Sequence, residues 1–162
     1  MLSFRKEAIV VGSLLLGRLG IVIRPGDSSG GARGEVDAFN KKLVELHLKM
    51  DTPGIMAMWA EDGVDLIEGE APMVGRKTIT AWIENVLAKM PEYQVTKQEM
   101  VFHDIHLCGD WATEWATGHR VAQAPEGRPN FEGYGKMALV LHRDASGEWK
   151  IQQEMWNASP KP

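Results

Sequence analysis

Cysteine is nearly absent: Cys108 is the only one in 162 residues. A single thiol excludes an intrachain disulfide, a paired-cysteine metal site and a dithiol redox centre. In Leu-Cys-Gly-Asp-Trp (107–111), just before a Gly-Asp turn, it reads as a small buried thiol rather than a nucleophile. Positive charge is also scarce. Eighteen Lys and Arg stand against 22 Asp and Glu, a net charge of −4, so the chain carries no electrostatic footprint for nucleic acid. A phosphate-cradling loop is missing too, because Gly-Arg-Lys-Thr (75–78) lacks the required spacing. The longest apolar run, Ala8 to Gly17, is broken by Arg18 and is too short for a good membrane span. His103 and His106 form a His-x-x-His pair, but on a strand they are expected on opposite faces, so no metal site is expected. No residue pattern calls for a cofactor.

What is present begins with an N-terminal segment unlike the rest. Arg5 and Lys6 precede the short apolar run, an arrangement that resembles a secretory signal peptide and suggests export, although a good cleavage site is lacking. Pro-Gly-Asp-Ser-Ser-Gly-Gly-Ala-Arg-Gly (25–34) has the composition of a flexible linker. The expected organisation is therefore residues 1–34 as leader and linker, 35–157 as one folded domain, and 158–162 as a tail.

Within that domain, hydrophobic periodicity is legible. Val36, Phe39, Leu43, Leu46 and Met50 recur at helical spacing over 35–50, and His47 on the same segment is expected to be a partly exposed helix residue. Asp51-Thr52-Pro53 breaks the pattern and opens a second short helix, expected over 53–62. A strand is expected over 64–69 and a third helix over 74–90, ended by Pro91. Four long strands follow, over 93–107, 110–123, 130–143 and 148–157, separated by turn-forming segments. Helices followed by a run of antiparallel strands predict an α+β fold. The strands are apolar on both faces. One face should pack on the helices and the other should meet a further surface, such as a second subunit.

Three segments carry a resemblance: MWAEDGVDLIEGEAPMVGRKTITAW (58–82), GDWATEW (109–115) and GYGKMALVLHRDASGEWKIQQEMWN (133–157). Together they resemble the SnoaL-like, ketosteroid isomerase-like branch of the nuclear transport factor two-like superfamily. The resemblance implies a cone-shaped, strongly curved antiparallel sheet wrapped around three N-terminal helices, with a pocket for a small apolar organic molecule. It also implies a homodimer. The isomerase machinery is incomplete here: Glu68 lies near the position of the catalytic base, but the first helix has no tyrosine and the strand Met137-Ala-Leu-Val-Leu141 has no carboxylate. The Asp-Arg-Asp arrangement of the superfamily's epoxide hydrolases is missing as well, since Trp115 and Thr117 stand near two of its three positions.

What remains is a set of polar residues in apolar strands. Glu154 and Glu68 are the candidates for acid–base catalysis; Trp59, Trp82, Glu114, Tyr134, Lys136 and Trp156 are the candidates for lining the substrate pocket. A carboxyl buried beside an indole would have its pKa raised by desolvation, which suits proton transfer near neutral pH. Pairing with Lys136 would instead hold Glu154 or Glu114 ionised. Which of these applies depends on the register of the last hairpin, because a one-residue shift moves Glu154 to the other face. Two function classes follow: a cofactor-independent isomerase, cyclase or hydratase using general acid–base catalysis, or a non-catalytic ligand-binding or dimerisation module.

Overall fold

The computed structural model describes residues 28–161; the signal-like segment and the first part of the expected linker lie outside the described residues. The elements run α1 (Ser28–Lys49), α2 (Thr52–Ala57), β1 (Trp59–Ile67), β2 (Met73–Val74), α3 (Arg76–Ala88), β3 (Gln94–Cys108), β4 (Trp111–Gln123), β5 (Phe131–Arg143) and β6 (Trp149–Ser159). The first helix starts seven residues before Glu35, so part of the linker-like glycine-serine stretch is helical.

Local chemistry explains the boundaries. Asp51 caps α2 by accepting a hydrogen bond from the Gly54 amide at 3.0 Å, and Pro53 sits in the first turn, where no amide hydrogen is needed. The helix expected over 53–62 stops at Ala57. Trp59 is already in β1, where its indole is buried in the core, so burial against the sheet overrides the helical pattern. Gly75, at φ 88, makes the left-handed turn that starts α3, a conformation that suits glycine.

The six strands form one sheet in the order β2-β1-β6-β5-β4-β3, all antiparallel except β1 with β6. Its inner face closes over the helices. Val36, Phe39 and Leu43 of α1, Ile55 and Met56 of α2, and Ile79 of α3 pack with Leu139, Leu141, Trp149 and Ile151 of the sheet. Six of these side chains are fully enclosed, and burying each contributes on the order of 2 kcal/mol relative to exposure. This is the curled, unclosed α+β architecture that the resemblance implied.

Two irregularities decide which residues share a face. In the β5–β6 hairpin, Leu141 pairs with Ile151 but Val140 pairs with Gln153, so a bulge shifts the ladder by one. Beyond it, Glu154 stands opposite Leu139, which is buried on the inner face, while Lys136 pairs with Thr117 and Asn157 on the outer face. In β3 a second bulge surrounds Asp104, whose φ is 47. It places His103 opposite Trp115 and His106 opposite Thr113, so the two histidines share the outer face, contrary to the alternation expected of a regular strand. Among the described residues no group of His, Cys, Asp and Glu is arranged to hold a metal. Cys108, expected to be buried, is exposed at the end of β3.

Candidate active site

The concave face of the sheet and the helices enclose a cavity of about 590 Å³, within the usual size of small-molecule sites. Its walls are mostly apolar: Trp82, Ile83 and Leu87 from α3 face Met100, Met137 and Trp156 from the sheet. Glycines make the room. Gly118, Gly133 and Gly135 occupy adjacent inner-face positions on β4 and β5, and the Trp156 indole lies so close over Gly135 that a Cβ there would sit 2.7 Å from its ring.

Four polar groups converge on this space. Asp65 on β1 and Glu154 on β6 are paired across the parallel ladder and both border the cavity. Asp65 is 3% exposed and one of its oxygens, Oδ1, is buried without a hydrogen-bond partner among the described residues. Desolvation pushes its carboxyl up to about 6, against the pull of the Leu66 backbone. Glu154 is pushed up further, to about 8, first by burial and then by the charge of Asp65, with Arg120 opposing. Asp65 gives up its proton first, so its charge acts on Glu154. Between about pH 6 and 8 the pair therefore holds one proton, carried on Glu154.

Arg120, on β4, is anchored by its neighbour on β3: its Nε donates to Oε1 of Gln98 at 2.6 Å. Burial lowers its pKa and Glu154 opposes this, but a guanidinium stays charged. From α1 comes His47, whose Nδ1 lies 2.8 Å from the Leu43 carbonyl. Enclosure and the Arg120 charge lower its pKa to about 4, with the Leu43 bond opposing, so the ring is neutral at physiological pH. The residue is partly exposed, as its helix position suggested, and it borders the cavity.

The other candidates divide. Trp82 and Trp156 border the cavity together with Glu154, whereas Tyr134 and Lys136 adjoin it from outer-face positions of β5. Trp59 belongs to the core. Glu68 stands exposed past the end of β1, accepting from the Ala158 amide at 3.2 Å. Glu114 is buried beneath α1, where it accepts from Asn40 Nδ2 at 2.8 Å instead of pairing with Lys136. Sequence reasoning passed over Asp65 and Arg120. Asp65 was detectable as a lone carboxylate in the apolar strand Val64-Asp-Leu-Ile67; Arg120, beyond Gly118 on a strand end, carried no signal.

This cavity, lined by apolar and aromatic walls beside a carboxylate pair, lies in a domain of the curved-sheet α+β class. The SnoaL-like domain family matches residues 31–153, and the chain belongs to that family. Among solved structures it is similar to a ketosteroid isomerase-like protein from Erwinia carotovora atroseptica (14% identity, TM-score 0.69, covering 83% of this chain and all of that one). It is also similar to ActVI-ORFA from Streptomyces coelicolor (19%, 0.64, covering 80% and 98%). A third is a protein from Streptomyces avermitilis provisionally named a dehydratase of the nuclear transport factor two-like family (15%, 0.65, covering 82% and 99%). At these identities the likeness shows the fold. No curated protein sequence matches the chain.

Proposed function

We propose that the cavity binds a small, largely apolar organic molecule and moves a proton on it by general acid–base catalysis, isomerising it or adding or removing water. The observation that carries this reading is the pairing of Asp65 and Glu154 across β1 and β6 at the wall of an apolar cavity. Two carboxyls driven to different pKa values divide the labour. Asp65, with the lower pKa, holds the negative charge; Glu154, with the higher, holds the proton.

In a dehydration, Glu154 gives its proton to the departing hydroxyl, and water leaves with the C–O electron pair. The new Glu154 carboxylate, disfavoured beside ionised Asp65, takes a proton from the neighbouring carbon, and that C–H pair becomes the double bond. The net change is loss of water, with Glu154 protonated again. In an isomerisation the same group gives and takes protons at two carbons. Arg120, across the cavity, stabilises charge developing on the substrate's carbonyl oxygen.

The test is a thermal-shift screen of steroids, terpenoids, aromatic polyketides and small acids, followed by turnover assays on the hits. Glu154→Gln should preserve binding and lower turnover by about 10²-fold or more. Equal turnover in the variant would refute the acid–base reading, and hits that bind without reacting would favour a ligand-binding module.

A further inference from the structure

The polarity of the cavity is not uniform, and His47 supplies its neutral acceptor. A carbonyl oxygen only accepts, so the 2.8 Å contact with Leu43 requires the hydrogen on Nδ1. In the neutral ring Nε2 then carries a lone pair. It has no hydrogen-bond partner among the described residues, and it is not among the buried, unpartnered atoms, so it stays open to a visitor. Asp65 is an ionised carboxylate, and the other two groups donate: Arg120 has its Nε committed to Gln98 and its two terminal nitrogens unpartnered among the described residues, and Glu154 holds a proton. Two donors, the Asp65 carboxylate and one neutral acceptor, His47, are thus set around an apolar space by four separate elements.

We propose that His47 selects ligands that carry a neutral hydroxyl, its Nε2 accepting that hydroxyl's hydrogen, so that the cavity takes a hydroxylated ketone in preference to the same skeleton without the O–H. This rests on the cavity being the ligand site proposed above and names what that site recognises. A hydroxyl fits better than an ammonium because Arg120 is near enough to depress His47, and it would repel a second cation there. The carbonyl of such a ligand suits the donors. Its flat carbon frame suits the indole laid over Gly135 and the Phe131 ring laid over Gly133.

The experiment compares 4-hydroxybenzophenone with 4-methoxybenzophenone, which keeps the ketone and removes the donor, binding each to the full chain by calorimetry. Wild type should bind the phenol about 10-fold or more tightly. His47→Phe should bring the ratio near 1 with little change for the ether, and His47→Gln, which restores an acceptor oxygen, should recover part of it. A wild-type ratio near 1, an unchanged ratio in His47→Phe, or no binding of either ketone would overturn the proposal. Nitrogen-15 NMR gives a second readout that needs no variant to fold. The His47 ring should be the Nδ1–H tautomer at pH 7, and its Nε2 signal should move when 4-hydroxybenzophenone is added; an Nε2–H tautomer would overturn the proposal. The binding ratio is read without turnover, so a failure here and a failure of the acid–base reading are told apart.

Discussion

Asp65 and Glu154 face one another across the single parallel pairing among the described strands, and only one of them can ionise easily at neutral pH. Removing the charge of Asp65 should therefore lower the pKa of its neighbour. In Asp65→Asn, the Glu154 carboxyl, followed by carbon-13 NMR, should titrate at least half a unit below its wild-type midpoint near 8. The alkaline limb of any pH–rate profile should move the same way. An unmoved midpoint would mean that burial alone holds the proton.

Glu154 also affects stability. Its folded pKa lies above the ordinary value of 4.5, so the native state binds its proton more tightly than the unfolded chain. This contribution is full below about pH 4.5 and is lost as pH rises to about 8. Glu154→Gln removes the ionisable group and keeps the shape. It should match wild type near pH 5 and melt several degrees higher at pH 9. A lower melting temperature at pH 9 would show that the carboxylate is held by a favourable partner.

The glycine at 135 sets the space beside Trp156. Gly135→Ala places a methyl 2.7 Å from the indole, so the ring must swing into the cavity. The variant should lose about 1–3 kcal/mol of stability, and its tryptophan emission should shift. Unchanged emission and ligand affinity would show that the ring has slack.

How much of this was legible in the sequence differs by level. Long strands and amphipathic helices are visible because periods of 2 and 3.6 survive in the apolar pattern, and hence the α+β class was too. The short α2 was overestimated because Trp59 fits a helical stripe and an inward strand position equally well. The site was partly hidden for a sharper reason. The faces of Glu154, Lys136, His103 and His106 depend on one-residue bulges at Val140–Leu141 and around Asp104, and no local composition marks these. That the partly exposed His47 borders a cavity follows from the sheet curling over α1, a tertiary fact that the helix's own pattern does not contain.

The outer face bears exposed Val101, Trp111, Trp115 and Met155, with His103 stacked on Trp115 at 4.0 Å and His142 on Trp111 at 4.0 Å. We propose that a second copy of the chain covers it, since two exposed tryptophans and further apolar side chains gather on this one face. Light scattering at micromolar concentration should give a dimer mass, and Trp115→Lys should reduce it to the monomer. A monomeric wild type would end this proposal.

The last prediction concerns Glu114 and Asn40, which sit between β4 and α1 away from the cavity. Asn40 Nδ2 donates to Glu114 Oε2, while Asn40 Oδ1 and Glu114 Oε1 are both buried without partners among the described residues. A proton on Oε1 would give the amide oxygen its missing donor, closing a two-bond acid–amide ring. Desolvation pushes the carboxyl to about 7; the Asn40 bond and, further down α1, Arg33 lower it, and Asp37 raises it. The folded pKa exceeds the ordinary 4.5, so the native state is favoured while Glu114 is protonated. On the order of 3 kcal/mol should be lost as pH rises from about 4.5 to 7, with no further loss above. Glu114→Gln reproduces the protonated acid, since its amide accepts from Asn40 Nδ2 and donates to Oδ1. Chemical denaturation between pH 5 and 8 should show the variant equal to wild type at pH 5 and more stable at pH 8, with a flatter slope between. Parallel slopes would mean that Glu114 ionises freely in the fold, and that the helix and sheet are not joined through its proton.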